Sequence, residues 1–245
     1  MRRSTISFSA AALALLTVRA AGQTSVDLKP MPPALEIRFA LSALPPHLRA
    51  DATVHLLDPA KGYVVGRPGT NGFNCIVVRT EGERPRFRDD IYTPVCYDAE
   101  GSKHQLRVFT DVAQFRAEGW TAERVRAEVA DRFKRGTYRA PERSGVLYMV
   151  APMMRAYVSP MDTAVASMSL PHHMFYAPNL TDKDIGGAPP PSPYPFIFDQ
   201  GPHGYITILV GETERAGIVA ASQDLLKDLC AFRSVLCLSG GATSH

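Results

Sequence analysis

The chain has 245 residues, 45% of them hydrophobic, with 27 basic and 24 acidic residues and a formal net charge of +3. That length and apolar content suffice to bury a sizeable core as one domain. Three of the basic residues, Arg2, Arg3 and Arg19, fall in the first 22 positions, so the rest carries 24 of each sign and offers no basic footprint for nucleic acid or anionic lipid.

Arg2 and Arg3 precede a mostly apolar stretch from Ile6 to Val18, followed by the small residues Ala20, Ala21 and Gly22. This layout predicts a signal peptide over residues 1–22, cleaved after Ala20 or Gly22, and favours the general secretory route over a twin-arginine one. The apolar core is shorter than the roughly 20 residues that a transmembrane helix needs. No second membrane-length apolar run follows, so the mature chain is expected to be soluble, without a membrane span, and periplasmic or secreted. Residues 23–245 are then expected to form a single domain.

Leu35, Ile37, Phe39 and Leu41 alternate with Glu36 and Arg38, but Ile37, Leu41 and Leu44 also fit one face of a helix. The good helix formers inside the segment favour a helix, which Pro45 and Pro46 end. Short β-prone runs follow at Thr53–Leu57, Gly62–Gly66 and Phe73–Arg79, with turns at Asp58–Gly62 and Pro68–Gly72, so a three-stranded meander with an Asn71-Gly72 hairpin turn is expected. The charged stretch from Glu81 to Asp90 reads as a solvated loop. Tyr92–Tyr97 reads as a short strand that Pro94 should confine to an edge or a strand start.

A short helix over Val112–Ala117 leads, past Gly119, to the best helix signal in the sequence. Thr121 supplies the N-cap, Trp120 and Val125 a hydrophobic staple, Val125, Val129 and Phe133 one apolar face, and Gly136 the stop. Later strands are expected at Val146–Val150, Val165–Met168, Met174–Ala177 and Tyr205–Val210, and a last helix at Ser222–Phe232 with Leu225, Leu226 and Leu229 facing inward. Strands, helices, strands and a helix in that order give an α+β fold, an antiparallel sheet covered by the Thr121 helix and the C-terminal helix. Five prolines between Pro189 and Pro195 mark either a stiff connector or a binding loop.

Four cysteines in an exported chain, with no C-x-x-C among them, read as disulfides. Cys75 with Cys96 would tie two strand regions and stabilise the fold by roughly 3 kcal/mol on the chain-entropy model. Cys230 and Cys237 can pair only if the chain turns between them, because seven residues of unbroken helix span about 10.5 Å. The alternative is that one or both stay free and buried.

The sequence contains no G-x-S-x-G, Walker A, H-E-x-x-H or C-x-x-C-H motif. Asp182, Asp184 and Gly187 echo a calcium loop only faintly, and Gly66, Gly69 and Gly72 are followed by a strand rather than the helix of a dinucleotide site. The remaining chemistry concentrates at His172, His173 and Tyr176 on one strand and at His203 before the next. Alternation puts His172, Met174 and Tyr176 on one face and His173 and Phe175 on the other. If the strands pair, His172, His203 and a carboxylate (Asp182, Asp184 or Asp199) could hold a divalent metal such as zinc or iron. The candidate catalytic residues are His172, His203 and Tyr176, which could do acid–base work without a metal. The structural alternative makes His172 a buried, hydrogen-bonded ring and His203 part of the Pro202-His203-Gly204 turn. Asn179-Leu180-Thr181 also matches a glycosylation sequon.

The segments Glu36–Ala43, Ala52-Thr53-Val54, Gly69–Cys75 (GTNGFNC) and Pro171–Pro178 (PHHMFYAP) resemble a group of uncharacterised exported bacterial proteins over most of the mature chain. The resemblance implies export and a single domain, and carries no catalytic residue. Two functions follow as expectations. One is an envelope enzyme or a protein binding a small molecule or metal near His172, His203 and the proline segment. The other is a non-catalytic module in which the histidines are structural and the proline segment docks an envelope protein.

Overall fold

Pro33 opens the first helix, at a turn where its missing N–H leaves no bond unmade. The computed structural model describes residues 28–80, 87–157, 164–188 and 192–238. The expected signal peptide at residues 1–22 and the prolines Pro189–Pro191 lie outside the described residues, as do residues 81–86 of the charged stretch.

In chain order the elements are α1 (Pro33–Ser42), β1 (Thr53–Asp58), β2 (Gly62–Arg67), β3 (Asn74–Val78), β4 (Thr93–Tyr97), α2 (Ala99–Lys103), α3 (Gln105–Ala117) and α4 (Ala122–Lys134). They continue as β5 (Val146–Met149), β6 (Met154–Tyr157), β7 (Val165–Met168), β8 (His172–Tyr176), α5 (Asp182–Ile185), β9 (Phe196–Phe198), β10 (Tyr205–Leu209), α6 (Glu212–Ala220) and α7 (Gln223–Phe232). Eight strands form one mixed sheet in the order β2-β1-β3-β4-β5-β8-β10-β9, and β6 and β7 form a separate hairpin. The arrangement is α+β and largely antiparallel.

The exception corrects the expected meander. β1 and β2 form the hairpin, but β3 lies on the other side of β1 and runs parallel to it, with Thr53 opposite Asn74 and Val54 opposite Cys75. Residues 68–73 therefore cross from one edge of β1 to the other instead of turning back. Thr70 and Asn71 both donate their N–H to the Asp51 carbonyl, at 2.7 and 3.1 Å. A Cβ on Gly69 would lie 2.3 Å from the Asp51 oxygen, so only glycine allows this approach.

β4 is also not an edge strand: it sits between β3 and β5. On β4 only Cys96 and Tyr97 pair with β5, while Tyr92 bridges to Arg155 of β6. Pro94 falls in the gap between these two partners, where no ladder bond is asked of it.

The two faces of the sheet are packed by different helices. Phe39, Ala40, Leu225 and Leu229 from α1 and α7 cover the face with Val54, Cys75, Val77 and Cys96. Leu106 and Phe109 of α3 lie against the opposite face, which holds Ile76, Val95, Tyr97, Leu147, Met174, Tyr176 and Tyr205. The Thr121 helix, α4, does not touch this face. Its Val125 and Val129 pack on Val112 and Phe115 of α3, making a further layer, because its apolar stripe is narrow and matches α3. The N-cap forms as expected, with Thr121 Oγ1 accepting the Arg124 N–H at 3.2 Å, and Gly136 stops the chain at φ 68°. Trp120 stacks on Phe115, ring centroids 4.4 Å apart.

Both disulfides are present. Cys75 and Cys96 are direct partners across β3 and β4, with Cα atoms 4.1 Å apart. Cys230 and Cys237 are joined with Cα atoms 4.4 Å apart, the chain making the required turn through a 3-10 helix at Ser234–Leu236.

Candidate functional site

The register of β8 and β10 decides which candidate residues meet. Tyr205 lies opposite Tyr176 and Leu209 opposite His172, so the two ends of this pair are four residue steps apart, about 13 Å at 3.3 Å per residue. His203 precedes Tyr205 and belongs to the Tyr176 end; His172 belongs to the other. The structure thus gathers Tyr176, Asp199 and His203 at one end of the sheet and leaves His172 out, correcting the proposed pairing of the two histidines.

His172 is 6% exposed, and its Nδ1 donates to the Leu170 carbonyl at 2.7 Å. Burial pushes its imidazole below the ordinary histidine value, the Leu170 bond opposing. Such a bond also orients metal-ligating histidines, but no group of three or more His, Cys, Asp or Glu residues able to hold a metal occurs among the described residues. His173, on the opposite face, packs its ring against Tyr148 with centroids 5.5 Å apart.

The carboxylates offered as metal partners are engaged locally. Asp182 accepts the Ile197 N–H at 2.6 Å, fastening α5 to β9. Asp184 accepts from the Thr181 N–H and hydroxyl at 2.8 and 2.7 Å, closing a capping box on α5. Asp199 adopts φ 52°, and its charge acts on Tyr97 and Tyr205.

Tyr176 belongs to a polar knot that the sequence did not reveal. Its hydroxyl donates to Asp98 Oδ1 at 2.8 Å and lies 3.1 Å from the Val146 carbonyl. Asp98 Oδ1 also caps α2 by accepting the Gly101 N–H at 2.8 Å, and its Oδ2 accepts the Val146 N–H at 2.9 Å. A Cβ on Gly101 would lie 2.0 Å from the Tyr176 hydroxyl, and one on Gly145 would lie 2.3 Å from Asp98 Oδ2. Two glycines thus allow the backbone to close on this pair. Burial and the Asp98 charge push the Tyr176 phenol far above its ordinary value, so it stays protonated and serves as a donor.

His203 stands beside this knot. Its Nε2 donates to the Arg139 carbonyl at 2.8 Å, and its ring meets Phe133 edge-on at 4.8 Å. Burial lowers its imidazole pKa, with the Arg139 bond opposing and His104 adding to the lowering. The histidine thereby fixes the segment after α4 as one wall of an open depression of about 300 Å³, lined by Lys103, His104, Arg107, Gly136, Thr137, Tyr138 and Arg139. Asp111 of α3 holds the base of that wall: it accepts from Arg132 Nη1 at 2.5 Å and from the Tyr138 hydroxyl at 2.9 Å. Tyr138 is buried, its phenol pushed up to about 12 by burial and the Asp111 charge.

Sequence reasoning found His203 but not its neighbours. The available signal was the density of basic residues on both sides of the loop, at Lys103, His104 and Arg107 and again at Arg132, Arg139 and Arg143. It was diluted by acidic neighbours and by near-neutrality overall. Comparison with protein-family models, with curated proteins and with solved structures finds no match.

Proposed function

We propose that this chain is an exported, non-catalytic binding module in which His172 and His203 are structural. The carrying observation is that each histidine spends a ring N–H on a backbone carbonyl, of Leu170 and of Arg139, at opposite ends of the β8–β10 pair. The engaged carboxylates and the permanently protonated Tyr176 support the same reading: among the described residues no group of three or more metal-binding side chains occurs, and His172 and His203 do not meet. Two disulfides fit an oxidising compartment and so favour export.

Zinc titration of mature, untagged protein, with thermal unfolding as the readout, tests this reading against the metal one. Added zinc should leave the melting temperature unchanged. His172→Ala should unfold more easily by about 1–3 kcal/mol, as expected when a buried carbonyl loses its donor. Stoichiometric zinc that raises the melting temperature, and is lost in both His172→Ala and His203→Ala, would refute it.

A further inference from the structure

We propose that the depression between the α2–α3 junction and the segment after α4 is a binding site for a phosphoryl group carried by a small molecule. The inference rests on the binding-module reading and adds the place and the chemistry of the ligand.

Three of the lining side chains, Lys103, Arg107 and Arg139, are cationic and none is anionic. Lys103, His104, Arg107 and Arg139 face the space, joined by Thr137 and Tyr138, and no carboxylate is among the lining residues. The nearest acids, Glu100 and Asp111, are not lining residues and accept from other groups as well. Glu100 is buried and accepts the Glu142 N–H at 2.7 Å, and Asp111 is taken by Arg132 and Tyr138. Lys103 and Arg107 form loose ion pairs with these acids, 3.9 Å to Glu100 and 3.8 Å to Asp111, which balance part of their charge but are too long for hydrogen bonds, so their N–H groups can turn to a ligand. His104 lies 3.3 Å from Glu100.

Arg139 completes the set. Its Nε donates to the Gly136 carbonyl at 3.0 Å, which orients the guanidinium and leaves both terminal nitrogens to form a two-pronged contact with an oxyanion. The backbone beneath it is fixed by His203, so the wall is in place before any ligand arrives. That arrangement lowers the ordering cost of binding. Three oxygens of a phosphoryl group can be shared among Lys103, Arg107 and Arg139. A space of about 300 Å³ exceeds a bare phosphate and matches the lower end of small-ligand sites.

The same group could be presented by a soluble phosphomonoester or by a lipid headgroup, and calorimetry on the mature protein separates them. The probes are inorganic phosphate, glycerol 3-phosphate, and phosphatidylcholine vesicles with or without phosphatidic acid. Saturable binding of phosphate or glycerol 3-phosphate is expected, weakened about tenfold or more by Arg107→Ala and by Arg139→Ala, since each removes charge-assisted hydrogen bonds to the phosphoryl oxygens. Arg139→Lys should recover only part of the affinity, and the exposed Arg126→Ala on the outer face of α4 should leave it unchanged. Binding confined to phosphatidic acid vesicles, and lost in the same two variants, would assign the lipid source. Absence of binding to every probe would overturn the proposal, as would weakening by Arg126→Ala equal to that by Arg139→Ala. All these variants retain both histidines, so a failure here is distinct from a failure of the zinc and histidine test.

Discussion

Replacing Glu36 by Gln is expected to remove a loss of stability that the protein otherwise suffers as the solution turns from acid to neutral. Glu36 lies on the inner side of α1, 2% exposed, with Oε1 accepting the Leu57 N–H at 3.0 Å. Burial raises its carboxyl from an ordinary 4.5 to about 7, outweighing the Leu57 bond and the Arg79 charge, both of which favour the ionised form. A carboxyl with a raised folded-state value binds more protons folded than unfolded, so stability is full below about pH 4.5 and falls until about pH 7. A rise of this size corresponds to about 3 kcal/mol at most. Gln keeps the acceptor for Leu57 and cannot ionise. Urea unfolding of wild type and Glu36→Gln at pH 5, 6, 7 and 8 should show the variant gaining on wild type as pH rises, by a few kcal/mol at pH 8. The comparison cancels the opposite slope from His172 and His203, whose lowered folded values make stability rise with pH. Parallel profiles for the two proteins would show that burial does not control Glu36 and would refute the reasoning.

Asp98→Ala should cost about 3 kcal/mol or more in denaturant unfolding, because the Gly101 and Val146 N–H groups and the Tyr176 hydroxyl all lose their acceptor, whereas Tyr176→Phe should cost about 1 kcal/mol. Gly101→Ala should destabilise the protein more than Gly119→Ala relative to what each backbone angle alone demands, since the added methyl meets the Tyr176 hydroxyl in one case and open space in the other; thermal unfolding of each variant in wild-type and Tyr176→Phe backgrounds isolates that clash. Cys75→Ala with Cys96→Ala should lower stability by about 3 kcal/mol or more and Cys230→Ala with Cys237→Ala by about 2.5 kcal/mol, as the loops of 21 and 7 residues imply, with the first pair adding the loss of two fully buried side chains; urea midpoints order them.

What the sequence disclosed was whatever local chemistry fixes locally. β1, β2 and α4 were legible because Val, Leu and Tyr runs, the Thr121 cap and the Gly136 stop act within a few residues of themselves. Partner choice was not. Nothing in Pro68–Phe73 distinguishes a turn from a crossing until Gly69 is seen lying against the Asp51 carbonyl, and Pro94 looks like an edge residue until β5 is seen to stop short of it. β6 and β9, at four and three residues, and the poorly buried α6 have too little pattern to stand out. At the candidate site, alternation correctly put His172 and Tyr176 on one face, but only the register of β10 shows that His203 joins the second and not the first. The Asp98 knot and the basic depression depend on residues far apart in the chain, from Asp98 to His203, and no spacing rule could have assembled them.

The sheet is laid down almost in the order in which the chain is made, β2, β1, β3, β4 and β5 ahead of β8, β10 and β9. Of the two helices on the face over the first of these strands, α1 precedes them and α7 is the last described helix, with Leu225 and Leu229 reaching back to the cluster around Val54 and Cys75. A chain synthesised from its N-terminus can therefore pair its early strands before its final sixteen described residues, α7 and the turn after it, complete that side of the core. Until then α1 alone covers that face, with Phe39 and Ala40 on the cluster, and the side of α1 and the sheet that receives Leu225 and Leu229 stays open to solvent and to other chains.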